Sequence, residues 1–395
     1  MMSQENQNKK EPIFTKRFLL VTLSMFFTGS VMYGLNSTTA EVASSFGATA
    51  TLAGIATGIY SISSLMSRLS AARLMEHFGW KKMTLAVLFL HILTCLLYFA
   101  AVNLPLLILV RFLHGLAYGA SASAVATIGM SLIPRSRYGE GAGYFMTAPA
   151  LATAFGPALG GAIMDRFGNG GGFLFSTLCA VMMFLGIVLS DLSDIDPGPS
   201  GNRAEATDAP KGLDRWIETS VLPVCLCMLL LSISYAGILS FLRPFGQEQQ
   251  LSTAAFFLIY SLILIISRPV SGRIQDRFGD NAVVIPGILL QAASLAALAI
   301  WPGMVSMMFA ALGCALGYGT LKSCIQSIAA RLGPGERRAY SVTTFWICSD
   351  GGMGIGPMLL GTFISLWGYR GMFLGTALIA LAVLPLYLIS RRNAR

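Results

Sequence analysis

Along the chain, long uncharged apolar runs alternate with short clusters of Lys, Arg, Asp and Glu. The uncharged runs are residues 18–40, 42–67, 83–110, 112–134, 141–164, 167–190, 219–242, 249–267, 281–321 and 371–390. About 20 apolar residues span a hydrocarbon core about 30 Å thick as a helix, so most of these runs hold one helix each. The run 281–321 is too long for one and carries Trp301-Pro302-Gly303, a turn signal, in its middle, so it holds two. Residues 339–369 add one more, interrupted by a single acid, Asp350. The pattern predicts an all-α polytopic membrane protein with twelve transmembrane helices. They fall near 18–40, 48–72, 83–101, 105–131, 141–165, 170–191, 219–243, 252–272, 281–300, 304–330, 339–367 and 371–390.

The pattern repeats. Shifted by 200 residues, Ile59-Tyr60-Ser61 aligns with Ile259-Tyr260-Ser261, Ser67-Arg68 with Ser267-Arg268, Arg73 with Arg273, and Phe78-Gly79 with Phe278-Gly279. These are eight identities in the 21 positions 59–79, where composition predicts about one or two. The register holds without a gap at Leu116, Tyr118 and Gly119, at Pro134 and Arg137, and at Gly156-Pro157 and Gly161. The chain therefore reads as two homologous six-helix bundles, 18–192 and 218–390, flanked by tails 1–17 and 391–395. Residues 193–217, rich in Pro, Gly and acids, read as a flexible linker. Because six is even, the halves share one orientation and are related by an axis along the membrane normal, an arrangement that forms a substrate site at the midplane between them.

Charge orients the chain. Lys9, Lys10, Lys16 and Arg17 precede the first helix, and alternate loops carry Arg73/Lys81/Lys82, Arg135/Arg137, Arg203/Lys211/Arg215, Arg273/Arg277 and Arg331/Arg337/Arg338. The opposite loops hold little beyond Arg166 and Arg370. Both termini are expected in the cytoplasm, with the chain in the inner or plasma membrane. This bias accounts for the net charge of +9, so no nucleic-acid partner is inferred. Of the 395 residues, 55% are hydrophobic and 11% charged, against about 25% charged in a soluble domain, which excludes a soluble monomer. All seven cysteines lie within spans without metal-ligand spacing and read as small core residues, so neither metal nor cofactor is expected.

The loop after the second span reads Arg68-Leu-Ser-Ala-Ala-Arg73-Leu-Met-Glu76-His-Phe-Gly79, and its repeat reads Arg268-Pro-Val-Ser-Gly272-Arg273-Ile-Gln-Asp276-Arg277-Phe-Gly279. Both copies resemble the signature loop of the major facilitator superfamily, Gly-x-Leu-x-Asp-Arg-x-Gly-Arg-Arg, with Ala72, Glu76 and His77 as departures in the first copy. The resemblance implies a cytoplasmic gate in which the carboxylates of Glu76 and Asp276 accept from helix N-termini or arginines of the facing half in one state and lose them in the other. Arg111-Phe-Leu-His114-Gly115 on the fourth span resembles the family's Arg-x-x-Gln-Gly motif. In the fifth span Ala152-x-x-x-Gly156-Pro157-Ala-Leu-Gly160-Gly161 resembles the antiporter motif of its drug:proton exporters. That helix is expected to kink at Pro157 and to pack closely against the other half.

Ionisable residues inside spans mark function by default. Arg111 is expected to face the transport pathway. His114, on the same helix face, either carries a proton or only hydrogen-bonds. Lys322 and Asp350 sit roughly 14 and 18 Å above the cytoplasmic helix ends, at about 1.5 Å per residue, and are expected to pair. Asn36 lies on the first span, whose one acid, Glu41, is at its outer end. Glu41 and Arg243 form either an extracellular gate or ordinary interfacial charges. Tyr118, Phe145, Met146, Tyr235, Tyr318, Phe345 and Trp346 are the aromatic and soft residues expected around the midplane. The balance of these charges is neutral to positive, favouring an anionic or zwitterionic amphipathic substrate.

The expected function is proton-coupled efflux by a monomer through alternating access, with a small-molecule substrate, protons and the lipid bilayer as partners. A proton symporter for uptake and a transporter-derived sensor are the alternatives. An enzyme is not expected: one buried acid makes no aspartyl dyad, and His-Glu-x-x-His and Gly-x-Ser-x-Gly motifs are absent from the sequence.

Overall fold

A computed structural model describes residues 12–134, 138–191, 217–334 and 338–392. All of the linker expected at 193–217 except Ile217, and most of both tails, lie outside the described residues. The described elements are helices, with no strand among them. The first four are α1 (Lys16–Ser45), α2 (Ala50–Phe78), α3 (Trp80–Leu96, ending in a 3₁₀ turn Leu97–Ala100) and α4 (Leu104–Ser131). Their starts carry caps that the sequence supplies: Thr15 accepts from the Phe18 N–H, Thr49 from Leu52 and Asn103 from Leu106.

The stretch Tyr138–Val188 is helical throughout except at Gly168, where φ is +69°. As one rod its 51 residues would be about 77 Å long, far more than a bilayer. Gly168 instead turns the chain back. Asp165 lies beside the end of α1 through Arg243, whereas Gly186 lies against Leu20 and Ser24 at its start. The stretch is thus two helices, α5 (138–167) and α6 (169–188). Its repeat Arg338–Arg392 reverses at Gly368, φ +66°, into α11 (338–367) and α12 (369–392). A residue with a side chain is strained at such angles, so glycine recurs at both reversals. Between these pairs lie α7 (Leu222–Glu248), α8 (Ala254–Phe278), α9 (Asn281–Ile300) and α10 (Met304–Leu332). The described residues therefore form twelve helices, six in each half. One irregularity was not anticipated: α10 contains a π-helical segment, Ala315–Gly319, in which the Thr320 hydroxyl reaches back to the Ala315 carbonyl at 2.9 Å.

Within each half, α1 packs on α5 and α7 on α11 through small residues. A methyl group on Gly156 would lie 2.8 Å from both the Gly34 nitrogen and the Ser30 carbonyl, and one on Gly356 would lie 2.8 Å from the Ala236 side chain. The antiporter-like motif therefore packs mainly on its own half, which corrects the expectation that it faces the other. Gly160 also packs toward Gly34, and Gly161 alone of the motif glycines meets the opposite half, at Arg243. Pro157 and Pro149 are accommodated with helical torsions, and the helix departs from them only at Gly168. The repeat copy carries the contact between halves. Gly54 and Gly58 of α2 sit directly on the Pro357 and Gly354 carbonyls of α11, and Gly361 sits on Ala50.

Candidate functional site

Between the halves lies a cavity of about 30 Å³, walled by Tyr60, Ser64 and Arg68 of α2, Tyr118 of α4, Tyr318 and Lys322 of α10 and Asp350 of α11. That volume holds about two waters, whereas organic ligands occupy pockets of about 300–1,000 Å³, so the halves must separate before a substrate enters. Two cations and one carboxylate line it: +1 (Arg68), +1 (Lys322) and −1 (Asp350) give a formal +1.

Asp350 pairs with Arg68, Nε to Oδ2 3.5 Å, and not with Lys322 as its depth had suggested. Arg68 also lies 3.5 Å from the Ser64 hydroxyl and over the Tyr118 ring at 5.6 Å. The pair is loose: Asp350 Oδ2 is buried without an aligned hydrogen bond. Arg68, assigned from its motif to the cytoplasmic gate, is thus a wall of the cavity. The Lys322 ammonium instead lies 4.9 Å from the Trp346 ring centroid and 5.7 Å from that of Tyr318, 3.5 Å from the Tyr318 hydroxyl. Tyr318 is backed by Tyr235, stacked at 4.1 Å. Phe345 is fully buried against Trp346 and does not reach the cavity.

The repeat register exposes an asymmetry. Position 350 corresponds to 150, and there the chain has Ala150. Arg268, the mate of Arg68, therefore has no acid at the position that pairs with Arg68 in the other seam. It donates to the Met146 carbonyl at 3.4 Å while its Nε is buried without a partner.

Arg111 is fully buried but lies outside the cavity. Its Nε donates to the Ala56 carbonyl at 3.1 Å, and its terminal nitrogens to the Thr57 carbonyl at 3.1 Å, the Tyr98 hydroxyl at 3.4 Å and the Asn36 side chain. Its guanidinium covers the Tyr60 ring at 4.3 Å. These contacts tie α4 to α1, α2 and α3 within one half, so Arg111 and Asn36 form a structural junction rather than a lining, contrary to expectation. His114 sits behind the cavity wall. Its Nδ1 lies 2.9 Å from the Tyr98 hydroxyl and its Nε2 lies 3.0 Å from Nε2 of His91 and 3.7 Å from Sγ of Cys95. His91 and Cys95 escaped the sequence reading because their partner stands on another helix, although their spacing of four places them on one face of α3.

At the end of the bundle away from the termini, Arg243 of α7 donates to Glu41 of α1 and to Asp165 of α5, and Gln247 donates to Glu41 at 2.9 Å. Glu41 and Arg243 were paired from their positions. Asp165 went unnamed because it stands at the end of a span and gains its partner only from α7 of the other half. The Thr51 and Ser365 hydroxyls, 3.2 Å apart, join α2 and α11 at this same end. At the termini end, the side chains of Arg73, Glu76 and Asp276 lie outside the described residues. Gly79 and Gly279 end α2 and α8 with φ of +83° and +84°. Arg273, Gly272 and Arg277 lie on the last turns of α8, with Arg277 over the Phe278 ring at 5.3 Å. A buried acid there, Asp280, binds Arg331 and Gln275.

The whole chain resembles known transporters. It is 23% identical over 389 residues, 95% of each chain, to the multi-drug resistance efflux pump PmrA homolog of Lactococcus lactis subsp. lactis (strain IL1403). It is 24% identical over 296 residues, 70% of each chain, to the multi-drug resistance efflux pump PmrA of Streptococcus pneumoniae serotype 4. Among solved structures, a POT family transporter in complex with a thioalcohol-conjugated peptide superposes with TM-score 0.79 at 16% identity, covering 95% of this chain and 96% of that one. A bacterial homolog of the human lysosomal transporter Spinster, inward-facing and unoccupied, superposes with TM-score 0.78 at 13% identity, covering 98% and 99%. The two superpositions show that the chain shares the fold of those solved transporters. The family model of the Major Facilitator Superfamily matches residues 21–357, with a second match over 256–395, and the chain belongs to that superfamily.

Proposed function

We propose that this protein is a proton-coupled exporter of small amphipathic organic anions or zwitterions, working by alternating access. The observation that carries the reading is the Arg68–Asp350 pair, which crosses from one half to the other at the single carboxylate of the cavity wall. An ion pair made in one conformation and broken in another biases the equilibrium by its differential free energy. Protonating Asp350 removes the attraction, so proton binding favours separation of the halves.

The sign of the cargo follows from the surplus cation. With Asp350 engaged by Arg68, Lys322 is left for a carboxylate or phosphate group, while Tyr60, Tyr118 and Tyr318 offer rings to its apolar part. Export is favoured by the efflux pumps among the relatives and by the likeness of the Gly156-Pro157 segment to an antiporter motif, and the Lys/Arg bias assigns the termini to the cytoplasmic side of the cell membrane. In that orientation the Arg243 clamp closes the outer side, and Glu76 and Asp276 serve the inner gate. The proposed unit of function is the monomer, because the two halves that wall the cavity belong to one sequence.

The test is accumulation of labelled amphipathic anions, zwitterions and cations in inverted membrane vesicles with an acidified lumen. Uptake of anions or zwitterions, abolished by a protonophore, is expected. Accumulation only in right-side-out vesicles would replace export by uptake, and transport of cations alone would overturn the substrate class.

A further inference from the structure

Behind the cavity, three potential metal ligands converge from two helices. A ring nitrogen of His91, Sγ of Cys95 and a ring nitrogen of His114 all lie within 4.8 Å of one another, and all three residues are fully buried. Nδ1 of His91 is buried without any hydrogen-bond partner, so this ring is held at the cluster through Nε2 alone. Two ring nitrogens 3.0 Å apart need a proton or a cation between them. From these features we propose that the first half holds a buried Cu(I) ion on His91, Cys95 and His114.

The geometry fits three-coordination. With metal–nitrogen and metal–sulfur lengths of about 2.0 and 2.3 Å, a trigonal centre places sulfur and nitrogen about 3.7 Å apart and the two nitrogens about 3.5 Å apart. The sulfur of Cys95 stands 3.7 Å from His114 Nε2, the two imidazoles need to part by roughly half an ångström, and the His91–Cys95 edge lies within 4.8 Å and closes by up to about 1 Å through side-chain adjustment. Tyr98 is not a fourth ligand, because its hydroxyl bonds Nδ1 on the other side of the His114 ring at 2.9 Å. That bond fixes which nitrogen faces the ion, as outer partners of metal-bound histidines do.

Coordination number and charge both select the ion. Structural zinc takes four ligands, whereas a thiolate with two imidazoles in a dry three-ligand site suits soft, monovalent copper. The guanidinium of Arg111 reaches the cluster through the Tyr98 hydroxyl at 3.4 Å, and its described hydrogen-bond partners are neutral. A divalent ion with one thiolate would add a net positive charge beside that buried cation, while Cu(I) with the Cys95 thiolate adds none. On binding, the thiol exchanges its S–H bond for S–Cu and its proton passes to solvent.

The second half is an internal control. The same register holds Gln291, Leu295 and Cys314, with Leu298 where Tyr98 stands, and Gln291 donates to Ser234 at 3.1 Å. No three-ligand set forms there among the described residues. The site adjoins the cavity wall, since the Tyr60 ring lies 5.1 Å from His114 and the Tyr118 ring 6.1 Å from His91. It stands independently of the transport reading.

The test uses full-length protein purified anaerobically in detergent from copper-supplemented cells and washed with a moderate-affinity Cu(I) chelator. About one copper per chain is expected, with X-ray absorption showing Cu(I) bound by two nitrogens and one sulfur. His91→Gln, which copies the second half, Cys95→Ser and His114→Gln should each lower the stoichiometry at least about tenfold while the protein stays monodisperse. Should Cys95→Ser misfold, a variant keeping Cys95 with the other six cysteines replaced by serine must retain the copper. Less than about a tenth of an equivalent in the wild type, copper retained in His91→Gln, or zinc held in preference to copper would overturn the proposal.

Discussion

The Arg68 guanidinium on α2 and the Asp350 carboxylate on α11 form an ion pair, 3.5 Å apart, that joins the two halves of the molecule. Their repeat mates, Arg268 and Ala150, cannot form one. The two seams between halves, α2 with α11 and α8 with α5, therefore differ in charge, and the close glycine-to-backbone packing falls on the first. On the uncharged seam Ser261 reaches the Ala150 carbonyl at 3.3 Å. Of these two seams, only that of α2 with α11 carries, among the described residues, a carboxylate paired to the arginine of the other half.

Arg111 is expected to govern stability. Arg111→Ala takes the guanidinium from the Ala56 and Thr57 carbonyls, which keep their helix bonds, and leaves the buried Asn36 side chain without this donor, at about 1–3 kcal/mol for a buried group left unpaired. Arg111→Lys should recover little, because one ammonium cannot reproduce the guanidinium fork. Thermal unfolding in detergent checks this. A wild-type midpoint with transport lost would return Arg111 to the substrate pathway.

Much of this architecture was legible in the sequence. The apolar runs located the helices, and the 200-residue shift announced the matched glycine conformations at 79 and 279. What depth along a helix does not supply is rotation about its axis. Lys322 and Asp350 were paired by height, yet Lys322 turns toward Trp346 and Tyr318, and Asp350 toward α2. Arg111 failed in the same way. An intramembrane arginine demands partners, but backbone carbonyls of Ala56 and Thr57 leave no mark in a sequence. Asp165 and His91 went unread because each gains meaning only from a residue on another helix.

Arg243 is expected to hold the far end closed. It is mostly buried, but Asp165 is 62% exposed, so solvent screening reduces the loss in Arg243→Gln to about 1–2 kcal/mol, a shift of roughly 5- to 30-fold in the population closed at that end. Labelling of a cysteine placed at Ser61, in the cavity wall, by a membrane-impermeant reagent from the outer side should rise accordingly. The exchange Glu41→Arg with Arg243→Glu should reverse part of the effect. Unchanged labelling would make these residues interfacial charges alone.

Lys322 is expected to select the charge of the substrate. Lys322→Gln should weaken binding of anionic amphiphiles about tenfold or more, the loss of one charge-assisted hydrogen bond, and leave unfolding near wild type because its described partners are rings and a hydroxyl. Isothermal titration with an anion and its neutral analogue measures the difference. Equal weakening of both would assign Lys322 to packing.

The central claim, that the Asp350 proton controls separation of the halves through Arg68, is tested most directly by a distance between them. The seven native cysteines are all buried, so spin labels can be directed to cysteines replacing Ser131 and Pro334, near the termini ends of α4 and α10. In the wild type the long-distance population should grow as pH falls from alkaline to acidic, as protonation of Asp350 releases Arg68. In Asp350→Asn that population should already be present at alkaline pH and no longer respond. A variant that keeps the wild-type pH response would contradict the account, because the proton would then act somewhere other than this pair.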